Sequence, residues 1–326
     1  MLLLDRYTDV PAQGRGAVLA LGNFDGVHRG HQAVIGEARR VAAETGAPLG
    51  VLTFEPHPRS FFDPNGEPFR LTPPAAKRRH LAALGLDVLY ELPFDRAFSR
   101  LPAERFVQEV LVEGIGAGHV VAGYDFVFGH CRQGTLELLT HMADSLGFGL
   151  TVVSPESEPG GRVYSSTQIR ELLQSGHPAE AGELLGHHWE IEGEVVAGEK
   201  LGRTLGFPTA NLQLGEYLRP AFGVYAVRAG LANDGEPHWM DGAANLGLRP
   251  TVGGDGVLLE VYAFDFAGDI YGRTLRVRMV EFLRPEEKFV GLEAMRVQME
   301  EDCRQARRIL ARGEEPPAAD ARQVTG

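Results

Sequence analysis

Between residues 17 and 153, short apolar runs alternate with stretches whose apolar residues recur every three or four positions. "AVLAL" has the length of a buried strand, and after it Val34, Ala38, Val41 and Ala42 recur at helical spacing. "LGVLTF", "DVLYEL", "HVVAG" and "GLTVVSP" repeat the strand pattern, while "AAKRRHLAALG", "AERFVQEVLV" and "TLELLTHMADSLG" repeat the helical one. This order predicts an α/β half built on a doubly wound parallel sheet. "SSTQIRELLQSG" and "AEAGELLG" add two helices, after which the pattern changes. From about Trp189 to Phe282, "WEIEGEVVAG", "GVYAVRAG", "LLEVYAFDF" and "TLRVRMVEFL" follow one another across glycine-bearing turns with no helical period between them. Such spacing predicts a mainly β half, an antiparallel barrel or sandwich, with a terminal helix over "VGLEAMRVQMEEDCRQARRILA" packed on it. The expected division is 1–186, 187–312 and a disordered tail at 313–326.

Composition narrows the class. A chain of 326 residues exceeds the usual size of a single core, which agrees with two domains. Its net charge of -12 argues against a nucleic-acid partner, and "AKRRH" at 76–80 is either a local basic exception or, as short basic runs more often are, a solvated helix face. Cys131 and Cys303 are far apart and fit neither a disulfide framework nor a zinc site. No apolar run approaches the ~18 residues of a membrane span. "MLLLDRYTDV" meets acidic residues too early for a signal peptide, so a cytoplasmic protein without a membrane partner is expected, as a monomer or weak homo-oligomer.

Candidate chemistry concentrates in two places. "ALGNFDGVHRGHQ" leaves the first strand of the α/β pattern and opens a helix. Ligands of open α/β sheets collect at the carboxyl ends of strands. Gly22 and Gly26 let backbone approach a phosphate, and the helix N-terminus supplies N–H donors. His28 and His31, three apart, share a helix face and add donors to the same oxyanions, so this stretch with Asn23, Phe24 and Asp25 is read as a triphosphate cradle. The string is neither G-x-G-x-x-G nor a P-loop. Ser165, Ser166 and Thr167 precede a helix and are either an ordinary N-cap or, with Arg170 one turn later, a second phosphate grip. "TFEPHPRSFF" and "GYDFVFG" either line a flat aromatic pocket or are core and loop.

"GRTLGFPTANL" at 202–212 is the second dense stretch. Pro208 keeps Phe207 extended, so Thr209 and Asn211 project to one side as oxygen donors for Mg²⁺ and phosphate, or else as polar caps of a turn. Glu260 interrupts the apolar run "VLLEVYAF" and needs either a partner, a cavity or a solvent edge. Facing the Thr209/Asn211 pocket, it would take a proton from a substrate hydroxyl. "NLGLRPTVGG" at 245–254 and "DFAGDIYG" at 265–272 are read as glycine-bearing loops.

These motifs, in this order over 17–312, resemble those of the bacterial bifunctional riboflavin kinase/FMN adenylyltransferases, the FAD synthetases. The resemblance implies two ATP-dependent steps, riboflavin to FMN in a C-terminal kinase barrel and FMN to FAD in an N-terminal nucleotidyltransferase domain. It implies that His28, His31, Ser166, Thr167 and Arg170 hold one nucleotide, that Thr209 and Asn211 hold Mg²⁺-ATP, and that Glu260 is the base, with Ser165 and Gly202 as further candidate nucleotide contacts. Flavin contacts fall by the same resemblance on Pro56, Pro58, Phe62, Asp125, Phe128, Phe207 and Arg249. Two departures stand out: Gln168 occupies a position often basic in relatives, and "LGHHW" with His187, His188 and Trp189 replaces a more usual Leu-Gly-Arg followed by proline and an aromatic.

Overall fold

The computed structural model describes residues 1–155, 163–196, 207–232, 237–248, 256–266 and 268–313. Packing divides the described chain into two compact units: Met1–Glu67 with Pro74–Ser165, and Pro68–Pro73 with the described residues from Ser166 to Gly313.

The first unit is a six-stranded, all-parallel sheet in the order β1-β4-β3-β2-β5-β6, where β1 is Leu2–Leu4, β2 Val18–Leu21, β3 Leu49–Glu55, β4 Val88–Pro93, β5 His119–Gly123 and β6 Gly149–Val153. The doubly wound expectation holds, with one addition. The edge strand β1 comes from the N-terminal "LLL", which is too short to declare itself without β4 beside it. Central strand β2 is apolar throughout because both of its faces are covered. Val18 and Ala20 enter one core, with Ile35, Ala38 and Leu89, while Leu19 and Leu21 enter the other, with Tyr90, Phe106 and Val110. Helix α1 (Arg29–Thr45) lays Val34, Ile35, Ala38, Val41 and Ala42 on the sheet and stops at Gly46, whose φ of 66° is left-handed. Helices α2 (Pro58–Phe62), α3 (Pro74–Ala83), α4 (Ala103–Arg105) and α5 (Leu136–Leu146) follow, and α4 runs on into π-wound turns over Phe106–Ile115.

In the second unit, α6 (Ser166–Gln174) and α7 (Pro178–Leu185) precede a closed barrel, which decides between the barrel and sandwich expectations. Its order is β10-β11-β8-β7-β12-β9, with β7 Glu190–Val196, β8 Ala210–Gln213, β9 Gly223–Leu231, β10 Met240–Leu248, β11 Val257–Ala263 and β12 Thr274–Pro285. All neighbours are antiparallel. Helix α8 (Leu292–Leu310) packs Ala306 and Leu310 against Ala226 and Ala243 of the barrel. Asn245–Leu248, expected as loop, instead completes strand β10. The small residues of "MDGAANLGL" carry little hydropathy signal, but β9 and β11 bond both edges of the strand. The 68–73 segment joins this unit by backbone: Leu218 N–H donates to Arg70 O at 2.8 Å, and the buried Trp189 indole N–H donates to Leu71 O at 2.9 Å.

Candidate nucleotide sites

Strand order places the first site. From β2 the chain moves through β3 and β4 on one side, then returns to β5 and β6 on the other. The crevice beyond the carboxyl ends of β2 and β5 is thus the topological switch point, where open sheets bind ligands. Gly22 to His28 occupies the end of β2, and Tyr124 and Asp125 the end of β5. Gly22 N–H donates to Leu52 O at 3.2 Å and Asn23 O accepts from the Thr53 hydroxyl at 3.1 Å, tying the loop to β3. Phe24 and Val27 hold positive φ values of 52° and 44° beside Gly26 at 86°. Burial keeps them there: Phe24, Asp25 and Val27 are each 1–2% exposed.

His28 is the N-cap of α1, its Nδ1 accepting from His31 N–H at 3.4 Å. In the neutral ring, an accepting Nδ1 puts the proton on Nε2. The two imidazoles stack with centroids 3.6 Å apart and 21° between planes, and the Phe24 ring meets His31 edge-on at 5.1 Å. The glycine between the two histidines supports the pair. A Cβ on Gly30 would lie 3.2 Å from the His28 ring, so the glycine of H-R-G-H leaves room for it.

Other expected residues lie as follows. Ser165 closes the first unit's main span, whereas Ser166, Thr167 and Arg170 belong to α6 in the second. Arg170 Nε donates to Phe69 O at 2.8 Å and its guanidinium lies 5.4 Å above the Phe69 ring. Pro58 opens α2 behind the N-cap His57, and Pro56 is exposed. Phe62, 68% exposed, meets Phe61 and Phe94 edge-on at 5.2 and 5.8 Å. Asp125 is exposed, while Phe128 is buried in the core and stacked on Phe126 at 5.5 Å. The basic run 76–80 is the expected solvated face only in part: Arg78 is exposed, but Lys77 is not. Lys77 is fully buried with Glu55, and Arg78 Nε donates to the buried Glu91 at 2.7 Å. No periodicity in α3 announces this, because the partners come from β3 and β4.

The second site is a cavity of about 610 Å³ in the barrel unit, lined by Thr209, Asn211, Met240, Asp269 and Tyr271 among others. Thr209 and Asn211 therefore do share one space, and the 268–271 loop joins them. Asp269 accepts from Tyr271 N–H at 3.1 Å, which shapes that loop. On β11 Glu260 pairs directly with Asn211 of β8 and across its other edge with Asn245 of β10, and it is not among the residues that line this cavity. Cross-strand partners point to the same face. The carboxylate and the Asn211 amide are accordingly neighbours on one side of the barrel wall. Phe207 meets Tyr262 edge-on at 5.4 Å. Gly202 and Arg249 lie outside the described residues.

Beside these sites, buried ion pairs stiffen the barrel. Glu190 of β7 accepts from Arg276 at 2.9 Å and from Arg278 at 3.1 Å. His188, one of the two departures noted above, is 7% exposed, and neither of its ring nitrogens has a hydrogen-bond partner among the described residues. Burial, with Arg278 and Arg228 nearby, pushes its pKa down to about 4.

Comparison with known proteins places both sites in context. The FAD synthetase family matches residues 10–168, and the riboflavin kinase family residues 185–310. A bifunctional riboflavin kinase/FMN adenylyltransferase from Pseudomonas fluorescens is 42% identical over 312 residues, covering 95% of this chain and 98% of the relative. The protein of that name from Escherichia coli K12 is 40% identical over 300 residues, covering 92% and 94%. A crystal structure described as a macrolide-efflux protein from Streptococcus pneumoniae superposes with a TM-score of 0.81 at 32% identity, covering 92% of this chain and 96% of that one. Among the described residues, no helix is long and apolar enough to cross a membrane.

Proposed function

The chain belongs to the bifunctional riboflavin kinase/FMN adenylyltransferase family, and from that premise we propose how its own residues divide the two reactions. It phosphorylates riboflavin to FMN and adenylylates FMN to FAD, both at the expense of ATP. We assign the adenylyl transfer to residues 1–186 and the phosphorylation to 187–312, in line with the two family matches.

In the first reaction the riboflavin 5′-hydroxyl gives its proton to Glu260 while its oxygen bonds to the γ-phosphorus of ATP, and ADP departs. The adjacency of Glu260 and Asn211 across β11 and β8 is the observation that carries this reading. Thr209 and Asn211 offer a hydroxyl and an amide oxygen to one cavity, a donor set that suits Mg²⁺ bound together with phosphate oxygens. When bound there, the ion neutralises charge on the transferring phosphoryl group. Phe207 and Arg249 are assigned to the flavin side and Gly202 to the nucleotide side of the same site.

In the second reaction an FMN phosphate oxygen attacks the α-phosphorus of a second ATP, the bond to the β-phosphate oxygen breaks, and pyrophosphate leaves. Gly22, Asn23, Phe24, Asp25 and Gly26 shape the cradle, and the α1 N-terminus with His28 and His31 supplies donors to the triphosphate. Arg170, Ser165, Ser166 and Thr167 are assigned to the same nucleotide, and Pro56, Pro58, Phe62, Asp125 and Phe128 to the flavin beside it. No covalent protein intermediate is required, because alignment and charge neutralisation supply the catalysis. The setting we assign is the cytoplasm, with riboflavin, FMN, FAD and ATP as small-molecule partners, no nucleic acid, and a monomer or weak homo-oligomer.

Incubation of the protein with riboflavin, ATP and Mg²⁺, followed by chromatography of the flavins, tests the assignment. FMN and then FAD should accumulate; FMN without FAD would remove the adenylyltransferase half of the reading.

A further inference from the structure

Helix α3 holds a lysine that solvent does not reach. Lys77 Nζ lies 2.6 Å from Glu55 Oε1 and donates to Thr53 Oγ1 and to Phe54 O, both at 3.2 Å, with its side chain fully buried. The three acceptors match the three protons of an ammonium. Burying such a charge is costly until pairing offsets the lost hydration, and an apolar side chain would fill the space without that cost.

The Thr53 hydroxyl connects this charge to the candidate cradle. A hydroxyl has one proton, and a Thr53 oxygen that accepts from Lys77 must direct that proton elsewhere. It goes to Asn23 O at 3.1 Å, one residue after the Gly22 N–H is fixed on Leu52 O. Beyond this anchor the chain turns through Phe24 and Val27 at positive φ. Each such non-glycine residue is strained and persists only where its surroundings hold it.

We propose that Lys77 is a positioning residue for adenylyl transfer. Its ammonium commits the Thr53 proton to the Asn23 carbonyl, and the chain Lys77–Thr53–Asn23 holds the loop from Gly22 to His28 in the course that sets the stacked histidines at the end of β2. Being fully buried, Lys77 acts through the loop and not on substrate. The proposal rests on the reading of that loop as the nucleotide cradle.

The full-length variants K77M, T53V, T53S, K77M/T53V and H28A test it, with FAD formation from FMN and FMN formation from riboflavin measured separately. K77M and T53V should each lower kcat/KM for ATP in adenylyl transfer by about 10- to 100-fold and leave riboflavin phosphorylation unchanged. T53S, which keeps the hydroxyl, should restore most of the rate. The double variant should be no worse than the poorer single one, because both changes cut the same chain. Normal adenylyl transfer in T53V while H28A lowers it about 100-fold would overturn the positioning role alone. Losses that multiply in the double variant, or a T53S as slow as T53V, would do the same. Normal adenylyl transfer in H28A would instead remove the cradle reading and the proposal with it. Should K77M unfold, as thermal melting would reveal, the T53V and T53S pair decides the matter.

Discussion

The His28 and His31 imidazoles stack 3.6 Å apart at the start of α1, with His28 at the same time accepting the His31 backbone N–H as the helix cap. One side chain thus has a structural task and a proposed chemical one, and substitutions can separate them. His28→Ala removes both and should lower FAD formation by about 100-fold while costing ~1 kcal/mol of helix capping. His28→Asn keeps a capping oxygen without the ring: its melting temperature should return toward the parent value while FAD formation stays low. Riboflavin phosphorylation should be normal in both, as flavin chromatography would register.

Glu260→Gln should produce the opposite pattern. The amide keeps the shape of the side chain beside Asn211 but cannot take the hydroxyl proton, so FMN formation should fall by about 10²- to 10⁴-fold. FAD formation from supplied FMN should be unchanged. Equal loss of both rates in a folded Glu260→Gln protein would contradict separate sites.

Thr209→Val is nearly isosteric and removes one oxygen donor from the barrel cavity. The Mg²⁺ concentration giving half-maximal riboflavin phosphorylation should rise about tenfold, the equivalent of one lost contact of ~1.4 kcal/mol. The Mg²⁺ dependence of adenylyl transfer should not move. A titration of both rates in the same preparation checks this.

His188 predicts an acid-sensitive barrel unit. Its pKa is pushed down to about 4 from an ordinary 6.5, first by burial and then by Arg278 and Arg228. Between those two values the unfolded chain binds a proton that the folded chain refuses. The contribution to stability is therefore complete above about pH 6.5 and is lost as pH falls toward 4, amounting to about 3 kcal/mol at the acid end. His188→Phe removes two buried nitrogens without hydrogen bonds. It should flatten the pH dependence of unfolding in that interval and cost little at pH 7, which urea melts at several pH values would measure.

Local pattern alone revealed much of this protein. The apolar runs of β2 to β6 and the helical periods between them announced a parallel sheet, because strands covered on both faces need no polar positions. The glycine-bounded strands after Trp189 announced an antiparallel half. The loop from Gly22 to His28 was legible for a similar reason: its glycines, aspartate and histidines are consecutive, so their chemistry is written within one turn of chain.

What the linear pattern could not carry is whatever depends on register and on partners distant in sequence. Strand β10 is made of small residues and exists through its bonds to β9 and β11. Lys77 looked solvated within its own helix, since Thr53 and Glu55, which make its burial affordable, lie more than twenty residues earlier. The placement of Glu260 beside Asn211 likewise required closure of the barrel, for a shift of one residue would have turned the carboxylate to the opposite face. Sequence by itself determined the two kinds of architecture and the residue types available for phosphate chemistry, because hydrophobic period and turn chemistry act between near neighbours. Which carboxylate meets which amide, and which charge is buried, only the tertiary structure decided, because those energies arise between groups that the chain brings together late.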